Sequence, residues 1–232
     1  MSLLTLKGVH THIGAYHILH GVDLEVPEGQ VTMLLGRNGA GKTTTLRTIM
    51  GLWPHSQGTI EFAGSKHKQS TPEIAQQGIA YVPESMGIFS DLSVAENLLL
   101  AARQAKRLQD LDEQRLTWLF GLFPALKTFW QYPAGKLSGG QKQMVAIARA
   151  LIEPRRLAPA IVQNLIEALR ELKKQQTTVL LVEQNFAMAK ALGDRVAVMD
   201  DGRVVHTGAM QELAENEELQ QRLLGLSLGA HQ

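Results

Sequence analysis

The run Gly36-Arg37-Asn38-Gly39-Ala40-Gly41-Lys42-Thr43-Thr44 constrains this chain more than any other feature. It fits G-x-x-x-x-G-K-[ST] at every position. Residues 31–35 before it are almost wholly apolar, as a buried parallel strand requires. Residues 43–50 after it read as a helix. A strand, a glycine loop and a helix in that order form a phosphate-binding unit. The glycines let backbone N–H groups close around a phosphate chain, and the helix N-terminus adds its positive dipole end. Lys42 then reaches the β- and γ-phosphates, and the Thr43 hydroxyl binds Mg²⁺. The plainer alternative is a glycine-rich turn that fits a pattern by chance, and the matching context leaves it a small share.

The surrounding pattern is α/β. Residues 22–26 alternate as a strand and turn at Pro27-Glu28-Gly29. Residues 59–62 read as a hairpin arm, and 79–82 as a short strand stopped by Pro83. Helical spacing follows at 92–107, where Ser93 and Glu96 make a capping box, and at 113–123 and 140–152. The stretch 124–135 between the last two is aromatic and holds Pro and Gly. Residues 160–174 repeat the helical pattern, 177–182 form a β-branched strand, and 195–199 with 203–205 flank Asp201-Gly202 as a hairpin. Residues 210–224 read as one amphipathic helix. The ends are therefore α/β with antiparallel pieces, and about 90–150 is all-helical: a parallel-sheet core with a helical insertion.

Composition narrows the function classes. A net charge of +1 speaks against a strongly basic nucleic-acid binder. With no cysteine, disulfide frameworks, thiol catalysis and cysteine-based zinc sites are excluded. The N-terminus lacks the pattern of a secretory signal, and the longest apolar runs fall far short of a membrane span. Any work at a membrane would be that of a peripheral subunit.

A second glycine run, Leu137-Ser138-Gly139-Gly140-Gln141, opens the helix that begins near residue 140. Alone it is a fair helix start. Together the two runs, in this order and spacing, resemble the ATP-binding cassette (ABC) family across essentially the whole chain. That resemblance implies one P-loop NTPase domain over 1–232, with a mainly parallel core, an antiparallel β subdomain and a helical insertion. It implies ATP and Mg²⁺ as cofactors. The implied nucleotide-binding residues are Gly36, Arg37, Asn38, Gly39, Ala40, Gly41, Lys42, Thr43 and Thr44. Ser138, Gly139, Gly140 and Gln141 would serve the nucleotide of a second cassette in a head-to-tail dimer. Tyr81-Val82-Pro83-Glu84, Gly87-Ile88-Phe89, Leu157-Ala158-Pro159 and Leu181-Val182-Glu183-Gln184-Asn185 are similar to the ATPase subunits of branched-chain amino acid importers. Urea and short-chain amide importers carry much the same cassettes. The implied partners are integral membrane permease subunits, a second cassette of the same or a different kind, and indirectly a solute-binding protein, with no nucleic acid. The implied location is the cytoplasmic face of the plasma membrane, peripheral, and soluble when isolated.

Several positions depart from the family pattern. Glu84 stands where most cassettes have a glutamine that senses Mg²⁺ and the attacking water. Ionised Glu can coordinate Mg²⁺ but cannot donate a hydrogen bond. Gln184 replaces a histidine at the γ-phosphate and gives up titration. Lys42, Glu84 and Gln184 are thus the candidate catalytic residues, with Thr43 and Glu84 as Mg²⁺ ligands. Ile13 occupies the usual adenine-stacking position, and Tyr16 is the possible substitute. The largest departure lies between Arg156 and Leu157, where the family's strand ending in Asp-Glu is missing, a loss of about ten residues. Residues 153–159, with two prolines and two arginines, cannot make a buried central strand. Val196 to Asp200 and Leu180 to Glu183 are apolar runs ending in an acid, but each already fits another strand. A non-hydrolysing nucleotide-binding module stays open beside the ATPase reading, and a cassette acting on nucleic acid ranks last.

Two side-chain groups remain. His10, His12, His17 and His20 suggest metal ligands, but strand and surface histidines are the plainer reading. Trp118, Phe120, Phe123, Phe129, Trp130 and Tyr132 suit either a small helical core or a groove for a membrane subunit.

Overall fold

A computed structural model describes residues 1–68, 70–153, 157–161 and 166–225, with backbone alone for 157–161 and 166–168. The chain opens with strands β1 (Ser2–Ile13) and β2 (Tyr16–Pro27), then β3 (Val31–Gly36) and helix α1 (Lys42–Ile49). Strands β4 (His55–Phe62) and β5 (Ser65–Lys66) precede helix α2 (Thr71–Gln76). Helices α3 (Val94–Ala101), α4 (Glu113–Leu122), α5 (Pro124–Thr128) and α6 (Gly139–Leu151) form the middle. Strand β6 (Leu157–Ile161), helix α7 (Ile166–Lys174), strand β7 (Thr178–Val182) and helix α8 (Phe186–Leu192) follow. The chain closes with β8 (Arg195–Asp200), β9 (Arg203–Ala209), α9 (Met210–Glu215) and α10 (Glu217–Leu224).

The strands form two sheets, in the orders β2-β1-β4-β5 and β6-β7-β3-β8-β9. The first is antiparallel. Its long strands carry bulges at glycines with positive φ: Gly8, Gly21 and Gly58. A Cβ on Gly58 would lie 2.2 Å from the Gly8 carbonyl oxygen, so the bulges of β1 and β4 pack directly together. In the second sheet β6, β7, β3 and β8 run parallel, and β9 closes the edge antiparallel. Asp201 and Gly202 both have positive φ, as a two-residue hairpin between β8 and β9 demands.

The alternation of β3 divides the core. Val31, Met33 and Leu35 face a cluster that includes Leu98, Leu119, Phe123, Leu126, Val145 and Ile147 of the helical region. Leu34 faces the other way, onto Leu4, Val22, Leu46 and Ile49. The helical region therefore shares one core with the parallel sheet. Of the aromatic group, Phe123 is buried, and Phe120 meets Trp130 edge-on at 5.2 Å. Trp118 Nε1 donates to Gln175 Oε1 at 2.8 Å, tying α4 to the end of α7. Trp118, Phe120, Phe129 and Trp130 are half-buried against this core, and Tyr132 is exposed.

Two capping boxes set the helix starts. Ser93 and Glu96 bond reciprocally at α3, and Ser138 and Gln141 at α6. Asp194 pins the start of β3: Oδ2 accepts from the Val31 amide at 2.9 Å, and Oδ1 meets Lys173 Nζ at 2.7 Å. Lys173 therefore ties the end of α7 to the start of β8, and its Nζ also donates to Leu192 O at 3.0 Å.

Several sequence expectations are corrected. The helix expected over 160–174 begins only at Ile166, and 157–161 is a strand paired parallel with β7 from Leu157↔Thr178 to Ile161↔Val182. Strand β6 lies at the sheet's outer edge, where a proline such as Pro159 is tolerated because one side needs no ladder bonds. The Arg156–Leu157 junction itself lies outside the described residues, as does Arg155. Residues 79–82 hold only isolated bridges, although Ile79 and Val82 are buried. Helix α3 stops at Ala101, short of 107. The C-terminal helix breaks at Asn216, whose side chain accepts from the Leu219 amide at 2.9 Å and restarts it as α10.

Candidate functional site

The loop between β3 and α1 is built by its glycines. Gly36 has φ 142, and a Cβ there would lie 2.2 Å from the Met199 carbonyl oxygen. Gly41 caps α1 with φ 101. The loop is braced from behind, where the Gly202 amide donates to Ala40 O at 3.1 Å and the His20 amide to Gly202 O at 2.9 Å. Lys42 is buried, and its Nζ donates to Gly36 O at 2.7 Å and to Arg37 O at 2.8 Å. Burial lowers its pKa from the usual lysine value. These bonds curl the ammonium back across the loop, so that one cation faces the space a phosphate chain would fill.

That space is a cavity of about 390 Å³, lined by Ile18, Asn38, Gly39, Gly41, Lys42, Thr43, Thr44, Glu84, Val182, Glu183 and Gln184. The structure thus brings together Lys42, Thr43, Glu84 and Gln184, which lie far apart in the chain. Glu84 reaches it from the loop before α3, and Gln184 from the end of β7. Gln184 Nε2 donates to Asn38 Oδ1 at 2.7 Å, joining the two loops directly.

Arg37 is exposed and lines a neighbouring hollow with Phe186 and Leu224. Neither Ile13 nor Tyr16 lines the cavity, and Tyr16 is 76% exposed. Ile18 does line it. The register steps from Thr11↔Leu19 to His12↔His17, so Ile18 is the extra residue of a bulge.

Ser138, Gly139, Gly140 and Gln141 are not among the lining residues. They sit at the start of α6. Gly139 and Gly140 are exposed, neither has positive φ, and a Cβ on either would meet nothing within 4 Å. Among the described residues nothing explains why both are glycine.

Sequence reasoning undervalued Glu183. Its carboxylate is buried, its Oε1 accepts from the Gln184 and Asn185 amides at 2.7 Å each, and it lines the cavity. The signal was present as an acid directly before Gln184. The histidines of β1 and β2 contact one another: His12 and His17 stack 4.1 Å apart with nearly parallel rings, His17 and His20 lie tilted at 4.2 Å, and His10 Nδ1 and His17 Nε2 share a hydrogen bond at 3.0 Å. Among the described residues no three His, Asp or Glu side chains form a metal-ligand group.

Comparison with known proteins places this geometry. The family described as ABC transporter matches residues 19–158. The high-affinity branched-chain amino acid transport ATP-binding protein BraG of Pseudomonas aeruginosa is 35% identical over 96% of this chain and 100% of its own. The probable branched-chain amino acid transport ATP-binding protein LivF of Archaeoglobus fulgidus is 33% identical over 90% of this chain and 93% of its own. Among solved structures, the ATP-binding subunit of an ABC transporter superposes with a TM-score of 0.79 at 28% identity, covering 97% of each chain. A nucleotide-free ATP-binding cassette shares the fold with a TM-score of 0.80 over 98% of this chain and 100% of its own, at 22% identity. A P-loop, a glycine-opened helix α6 and these relatives together make the chain a member of the ABC transporter family, an ATP-binding cassette of the class that couples ATP hydrolysis to transport.

Proposed function

We propose that the chain is the ATPase subunit of an importer of branched-chain amino acids, and that the cavity between the P-loop and Gln184 is its ATP site. The single observation that carries the site is the convergence of Lys42, Thr43, Glu84 and Gln184 on one cavity beside a helix N-terminus. The substrate class rests on the names of the BraG and LivF relatives, since a cassette does not touch the cargo.

The phosphates lie along the amides of Asn38 to Thr44, with Lys42 on the β- and γ-phosphates. Thr43 and Glu84 offer oxygen donors only, which suits a hard cation such as Mg²⁺. Bound there, Mg²⁺ offsets charge on the phosphate oxygens. The protein supplies few ligands, in keeping with a metal held largely by the nucleotide. Gln184 exchanges its bond to Asn38 for one to the γ-phosphate.

The open surface at Gly139 and Gly140 supports a partner cassette whose nucleotide packs against Ser138, Gly139, Gly140 and Gln141. ATP then closes the pair head to tail, and hydrolysis reopens it. Among the described residues no helix is long and apolar enough to cross a membrane, and the importer reading gives that task to permease subunits. The chain works as one domain, peripheral, on the cytoplasmic face of the membrane.

The test is uptake of labelled leucine by cells lacking this gene and complemented with wild type or Lys42→Ala. Restoration by wild type alone is the expected result. Equal restoration by Lys42→Ala would overturn the ATP site, and no leucine defect in the deletion would overturn the substrate.

A further inference from the structure

Most buried acids in a folded chain have all their acceptors satisfied. Glu183 does not. It is 5% exposed, its Oε1 is held by two backbone amides, and its Oε2 is buried without a partner. The group lines the same cavity as Lys42, Thr43 and Gln184. A buried carboxylate oxygen with no donor is destabilising unless a water or ligand completes it.

The position follows from the sheet. Strand β7 runs parallel to β3, with Leu34 level with Val182, and the Glu183 amide donates to Leu34 O at 3.4 Å. Glu183 is therefore the first residue beyond that ladder, level with the strand end from which the P-loop springs. Strand β6 ends beside it, with Ile161 level with Val182. From Pro154 to Ile166 the sequence holds no acidic residue, so β6 carries no carboxylate to this end of the sheet. Among the described side chains that line the cavity, Glu84 and Glu183 are the carboxylates, and Glu84 is exposed while Glu183 is fixed.

We infer that Glu183 Oε2 is the base for hydrolysis at this chain's own nucleotide, which rests on the cavity's being the ATP site. The water oxygen bonds to the γ-phosphorus as the bridging P–O bond to the β-phosphate breaks, and that electron pair leaves with ADP. The water's proton goes to Oε2 and passes to solvent on product release. The two amides on Oε1 fix the carboxylate's direction, so that it meets the water without reorganising.

The test uses the purified full chain, with a fluorescent ATP analogue for binding and released phosphate for turnover. Glu183→Gln keeps an oxygen for the two amides, and its melting temperature checks the fold. It is expected to bind the analogue within about twofold of wild type and to lose turnover by about 10²-fold or more. Added formate is expected to restore part of the turnover of Glu183→Ala, which a purely structural role would not allow. Wild-type turnover in Glu183→Gln, with Lys42→Ala inactive, would overturn the role of Glu183 and leave the ATP site standing. A wild-type chain that binds the analogue but releases no phosphate would also overturn it. Failure of wild type to bind at all would instead overturn the ATP site.

Discussion

Gln184 Nε2 lies 2.7 Å from Asn38 Oδ1 and donates a hydrogen bond to it, across 146 positions of sequence. The bond joins the end of β7 to the P-loop, at the mouth of the cavity. Both residues are exposed, so the bond competes with water and its net worth is small, about 0.5–1 kcal/mol. A weak latch can be exchanged for a phosphate oxygen. A double-mutant cycle with Asn38→Ala and Gln184→Ala, read by urea unfolding, should return a coupling of that size. No coupling would mean that the latch is not populated in solution. Gln184→His should add a limb near about pH 6.5 to the rate profile, because imidazole titrates there and the amide does not.

Asn97 holds the segment that carries Glu84. It is fully buried, its Oδ1 accepts from the Phe89 amide at 2.9 Å, and its Nδ2 donates to Phe89 O at 2.9 Å and Ser93 O at 3.0 Å. Asn97→Ala leaves the Phe89 amide without its acceptor, while Phe89 O and Ser93 O keep backbone donors, and should cost about 2–4 kcal/mol in denaturant unfolding. The loop from 84 to 92 should also become a preferred site of limited proteolysis. A loss under about 0.5 kcal/mol would show that water replaces the amide without penalty.

Two glycine substitutions separate folding from function. Gly36→Ala puts a methyl group against the Met199 carbonyl in a backbone conformation that L side chains avoid, and should cost about 3 kcal/mol or more. Gly139→Ala meets open space at the first turn of α6 and should leave stability within about 1 kcal/mol, on the favourable side. On the proposed head-to-tail pairing it should nevertheless lower turnover of the assembled transporter, because that pairing packs the partner's nucleotide against this surface. Unchanged transport by Gly139→Ala would remove that role from the glycine.

His67 predicts an acid-sensitive fold. Its Nε2 donates to Ile49 O at 2.6 Å, at the end of α1, while Nδ1 is buried without a partner. Burial, with a smaller contribution from His55, lowers its pKa below 6.5 despite the opposing bond to Ile49. The folded state therefore binds this proton less readily than the unfolded chain. The stability it confers is full above about pH 6.5 and is lost as pH falls towards the depressed folded value. Unfolding measured from pH 8 to pH 5 should show this slope, and His67→Gln should remove it. An identical slope in the variant would assign the acid sensitivity elsewhere.

Much of the machinery was legible in sequence because it is local. The strand–loop–helix around Lys42 is dictated by an apolar run, glycines that must take positive φ, and a helix start. The capping box at Ser93, the helix start after Ser138 and the Asp201-Gly202 hairpin were legible for the same reason. Strand β1, helix α2 and helix α8 went unread, and β6 was missed, its last two residues being read as the start of a helix and the rest as a segment unfit for a central strand. Residues 157–161 have no strand pattern of their own. Their conformation comes from the bare flank of β7, whose backbone groups must be paired.

The sequence by itself determined that this chain holds a phosphate loop, a helical insertion and a second glycine-opened helix, since each needs only neighbouring residues. Tertiary structure alone decided what meets at the cavity. The bulge at Ile18 turns an aliphatic side chain into it and leaves Tyr16 outside. Parallel pairing of β3 with β7 sets Glu183 beside the P-loop, and two backbone amides orient its carboxylate. Such contacts join residues more than a hundred positions apart, and only the packing of strands brings them within bonding distance.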